Sequence, residues 1–182
     1  MISASQTYKS LNLMPLYLVI IIDSMGPGIM LATFGLLLNN EQMGILRQPI
    51  SPELRYSLYG LILGVGTIIM FLTTPLWGTL SDQLGKKSIL VICMLGTTLG
   101  YLTLSIAVND KNISIFILGR FLISVTAGSI SIAQSALIDN SVHSNKSARI
   151  GLSNVFGGLG LILGALLAGI TSDNNLYLEV TH

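Results

Sequence analysis

Apolar residues in this chain come in long blocks, not in alternation. They fill 16–38, 58–78, 88–108, 113–138 and 151–171, each block holding at most one charge, with short polar stretches between them. A helix rises about 1.5 Å per residue, so blocks of this length cross a hydrocarbon layer of roughly 30 Å. Backbone inside lipid must satisfy its own hydrogen bonds, so each block predicts a helix. One such block could be the buried helix of a soluble protein; five in series predict an all-α membrane protein. The pattern leaves 1–15 as a polar N-terminal segment, 16–171 as a five-helix transmembrane domain and 172–182 as a polar tail. The first block is too long for a secretory signal and lacks a small-residue cleavage site, so it reads as a span.

Composition agrees. The chain is 51% apolar and 9% charged, where a soluble domain carries roughly 25% charged residues. Its one cysteine, Cys93, lies inside the third block and excludes an internal disulfide. A net charge of +1 gives no reason to expect a nucleic-acid partner. His143 and His182 have no nucleophile or ligand spacing around them, so no metal, no cofactor and no enzymatic chemistry is expected.

Lysines and arginines between the blocks set the orientation. With the N-terminus inside, Lys9, Lys86, Lys87, Lys146 and Arg149 face the cytoplasm, against Arg47, Arg55 and Lys111 outside. The balance favours a cytoplasmic N-terminus. Glycines recur at four-residue spacing as Gly60 and Gly64, Gly96 and Gly100, and Gly160 and Gly164. Such faces let helices approach closely in lipid, so all three pairs are expected to pack. Asn112-Ile113-Ser114 and Asn145-Lys146-Ser147 match the glycosylation acceptor pattern, and only the first would face outside.

Two charges sit deep inside spans, Asp23 and Arg120. Each costs roughly 2.5–3.5 kcal/mol at a helix centre, so both should face the bundle interior or a wet cavity. Counting from opposite ends, their backbones differ in height by roughly 10 Å, a gap that long side chains and a water could partly bridge. Asp23 is a candidate for taking up and releasing a proton, with Arg120 as its partner or as a substrate contact. A structural pair fixing helix register is the alternative. Around Asp23 the run Asp23-Ser24-Met25-Gly26-Pro27-Gly28 loosens the helix and fits a cavity wall, though a plain kink would read the same way.

The stretch between the second and third blocks is the most specific. It reads Gly78-Thr79-Leu80-Ser81-Asp82-Gln83-Leu84-Gly85-Lys86-Lys87. Gly78 would allow close packing at the membrane edge. Asp82 would cap backbone N–H groups or bridge to a neighbouring helix, Gly85 would permit a tight turn, and the lysines would hold the loop in the cytoplasm. This resembles the signature loop of the major facilitator superfamily, whose cytoplasmic gating role the resemblance implies for Gly78, Asp82, Gly85, Lys86 and Lys87. Further stretches are similar to its drug-efflux branch, including the tetracycline exporters. Asp23, Gly26 and Gly28 match a first-helix motif, Gly119 and Arg120 a fourth-helix pair, and Asp139 a carboxylate near that helix's cytoplasmic end. Gly160, Gly164 and Gly169 match a fifth-helix glycine pattern.

The departures are specific. Gln83 stands where the loop usually carries arginine, Ala32 and Gly35 where two prolines are expected, and Ala165 where exporters have a fifth-helix proline. The resemblance implies a secondary transporter of small organic molecules in a bacterial inner membrane. Proton-coupled export is favoured, and import of metabolites is left open. It also implies two six-helix halves around a central substrate site. Five helices supply neither a full half nor its counterpart, so the chain is expected to be a truncated front part or to work with a second polypeptide. A membrane protein without transport activity is the competing reading.

Overall fold

The computed structural model describes residues 13–39, 51–140 and 145–172. Lys9, Arg47, His143, His182 and the C-terminal tail from 173 lie outside the described residues. Six helices follow in order: α1 Met14–Asn39, α2 Pro52–Leu84, α3 Lys86–Asn109, α4 Ile113–Val125, α5 Ser129–Asp139 and α6 Lys146–Ser172. They make five helices long and apolar enough to cross a membrane, because α4 and α5 together form one span, Ile113–Asp139. The chain is an all-α membrane protein.

The packing is dominated by two helix pairs. α1 runs along α6, α3 along α4, and α2 lies against α4, while α5 touches α1, α3 and α6. The α1–α6 seam is backbone on backbone. A Cβ added at Gly28 would strike the Leu161 carbonyl, one at Gly160 the Ile21 carbonyl, and one at Gly164 the Met25 carbonyl. The α3–α4 seam works the same way, with Gly100 against Gly119 and Ile123, and Gly96 against Thr126. Dispersion across such close faces holds helices together where lipid is as apolar as they are.

The second helix departs from expectation. Gly60 and Gly64 have no neighbour within 4 Å of an added Cβ, and neither do Gly78 on the same helix or Gly169 on α6. These glycines pack against nothing among the described residues, whereas Gly160 and Gly164, at the same spacing, are essential to a seam. The rest of the outer face of α2 is large and apolar, with Phe71 77% and Leu72 62% exposed. Such surface faces lipid or a further helix.

Two positions explain local boundaries. Gly85, at φ 92°, is the whole connection between α2 and α3, a left-handed turn that glycine adopts readily. At the start of α4, the Asn112 side chain accepts the Ser114 N–H at 3.0 Å. The acceptor triplet noted at 112–114 is thus a helix N-cap.

Candidate functional site

The fourth span is broken. The helical ladder stops at Thr126, whose N–H bonds the Leu122 carbonyl, and restarts where the Ile132 N–H reaches the Gly128 carbonyl. The carbonyls freed at the break are met from α2. Trp77 Nε1 donates to the Val125 carbonyl at 2.5 Å, and Thr73 Oγ1 to the Ser124 carbonyl at 3.2 Å. Gly128 lies directly on the Trp77 side chain, where an added Cβ would come within 2.7 Å of its Cβ. A break in lipid survives only where protein or water satisfies the backbone, and here the indole and a threonine do so.

The break faces Asp23. Ser129, the first residue of α5 and fully buried, donates its hydroxyl to Asp23 Oδ2 at 2.7 Å. Asp23 therefore stands at the N-terminal end of α5, where the helix dipole favours a carboxylate. Beside it, Gly26 makes room for Tyr101 of α3, whose hydroxyl occupies the space a Cβ would take.

Asp23, Tyr101 and Arg120 all border one cavity of about 420 Å³, together with Tyr59, Gly66 and Ser124. Its remaining walls are largely apolar, among them Met30, Leu63 and Ile123. The structure thus brings Asp23 and Arg120 to one space but does not join them in an ion pair. Arg120 Nε is buried without a hydrogen-bond partner. α2 lies close to it at Gly66, where an added Cβ would sit 3.1 Å from Nε.

The signature stretch is arranged differently from expectation. Asp82 lies in the last turn of α2, exposed and without a hydrogen bond among the described residues, so it neither caps nor bridges. It cannot cap there, because the free backbone groups of a helix C-terminus are carbonyls. Lys86 makes the interhelical link instead, from its amino group to Ser135 at 2.6 Å and to the Asp139 carboxylate, both on α5. Lys87 is exposed. Sequence reasoning missed Tyr101, Ser129 and Gly66. Only the cluster Thr126-Ala127-Gly128-Ser129, small and polar in mid-span, carried a signal for the break.

Comparison with known proteins fits this architecture. The chain is 28% identical over 157 residues to the tetracycline resistance protein, class H, of Pasteurella multocida, covering 86% of this chain and 36% of that protein. It is 25% identical over 155 residues to the class B protein of Escherichia coli, covering 85% and 36%. It is 32% identical over 115 residues to the multidrug resistance protein MdtG of Citrobacter koseri, covering 63% and 27%. The chain therefore spans about a third of the length of the curated relatives it matches. No solved structure matches it. The family profile described as Major Facilitator Superfamily matches residues 13–177, nearly the whole chain, and the protein belongs to that superfamily.

Proposed function

We propose that the chain is the N-terminal part of a secondary transporter that exports small organic molecules in exchange for protons. The observation that carries this reading is the cavity holding Asp23 and Arg120 in a largely apolar wall. Charges in the hydrocarbon region mark substrate or ion paths, because a neutral residue would avoid their cost. Asp23 is the proton site, since protonation would weaken its acceptance from Ser129 and so alter the join between α1 and α5. Names such as tetracycline resistance protein support efflux as the direction. Lys86, with Asp139, closes the cytoplasmic side, and Asp82 with Lys87 lies at the same mouth. The N-terminus is cytoplasmic, following the lysine and arginine balance.

Relatives more than twice as long imply further helices, supplied by the same reading frame or by a second polypeptide. The test is uptake of tetracycline or a fluorescent dye into inverted vesicles under an imposed pH gradient, with those helices present. Asp23→Asn should abolish gradient-driven uptake. Undiminished uptake in that variant would remove Asp23 from the coupling step.

A further inference from the structure

We infer that the cavity takes an amphipathic organic anion, seated with its acidic group on the Arg120 guanidinium. The inference rests on the cavity being the substrate path.

The two charges that border the cavity differ in what they already hold. Asp23 is answered, taking the Ser129 hydroxyl at the start of α5. Arg120 is not, because its Nε is buried and has no partner. A buried donor left unmade is costly, more so on a charged group, and any ligand that supplies an acceptor recovers that cost. Guanidinium is a planar fork that matches a carboxylate or sulfonate with two parallel hydrogen bonds. Ser124 Oγ donates to the Arg120 carbonyl one turn back and makes no hydrogen bond to Nε.

The remaining walls define the rest of the ligand. Met30, Leu63, Met70 and Ile123 offer apolar contact, and Tyr59 and Tyr101 add aromatic side chains to the lining. At about 420 Å³ the space fits a small drug-sized molecule of two or three rings. Gly66 lets α2 lie close to the guanidinium, where an added Cβ would stand 3.1 Å from Nε and 3.3 Å from Cζ.

The test uses the chain in nanodiscs of phosphatidylcholine, with binding to empty discs subtracted. The probes are 1-anilinonaphthalene-8-sulfonate and its uncharged analogue N-phenyl-1-naphthylamine, similar in rings and size. The sulfonate should bind about tenfold more tightly, the range expected of one charge-assisted contact. Arg120→Gln should erase that preference, and Arg120→Lys, keeping the charge without the fork, should retain part of it. Gly66→Val, which fills the space at Nε, should weaken the sulfonate more than the neutral probe, giving a second reading should Arg120→Gln fold poorly. Equal or tighter binding of the neutral probe, or a preference that survives Arg120→Gln, overturns the anion assignment and leaves the cavity as a path. Binding of neither probe above empty discs overturns both.

Discussion

Ser129 Oγ reaches Asp23 Oδ2 at 2.7 Å across 106 residues of sequence, joining the first residue of α5 to the middle of α1. The bond is buried at the serine, and its removal leaves an acceptor in a low-dielectric place. Ser129→Ala should destabilise the chain by about 1–3 kcal/mol. Thermal unfolding in detergent checks this, and a cycle with Asp23→Asn separates the bond from each side chain's other roles. Full additivity of the two losses would mean that the pair does not interact.

The α1–α6 seam predicts a contrast between glycines that look alike in sequence. Gly160→Val and Gly164→Val would drive a side chain into the Ile21 and Met25 carbonyls and should each cost about 1–3 kcal/mol. Gly60→Ala, Gly64→Ala and Gly169→Ala meet nothing among the described residues. In this chain they should leave unfolding unchanged or raise its midpoint slightly, by the gain in helix propensity of about 0.5–1 kcal/mol. Parallel melting curves decide it.

Trp77 is the only tryptophan, so its emission reports on the break in the fourth span. Gly128→Val would push against its side chain and separate the indole from the Val125 carbonyl. The emission maximum should shift while helicity by circular dichroism stays constant. Trp77→Phe, which removes the donor and keeps the ring, should lower stability by about 1 kcal/mol.

The Lys86–Asp139 pair is exposed at its acidic end, where Asp139 is 62% accessible. Lys86→Gln should therefore change stability by less than about 1 kcal/mol. Proximity is the stronger prediction: with Cys93→Ser to remove the native thiol, Lys86→Cys with Asp139→Cys should cross-link rapidly, whereas either cysteine alone should give no cross-link within the chain. Absence of that cross-link in the double cysteine chain would put the two helix ends further apart than they stand here.

Much of the fold was legible because lipid allows so few backbone solutions. Apolar blocks at 16–38 and 88–108 could only be helices. Spacing along a helix names a face but not its partner, so Gly60 and Gly160 read alike in sequence while one meets open surface and the other a carbonyl. The break at Thr126–Gly128 carries no proline, and only the side chains of Trp77 and Thr73, brought from another helix, make it tolerable. Height arithmetic set Asp23 and Arg120 as partners across a gap. It could not foresee that Ser129, freed by the break, would take the carboxylate first.

That break leaves α5 as a lever. Its eleven residues, Ser129–Asp139, make a rod about 16 Å long. One end is pinned to Asp23 in the bundle interior and the other to Lys86 at the bundle mouth. A tilt of 10° about the inner end carries the outer end by about 3 Å, by the same helix geometry, enough to put a water between lysine and carboxylate. A small displacement at the Asp23–Ser129 bond is thereby mechanically commensurate with the opening of a contact a whole helix away.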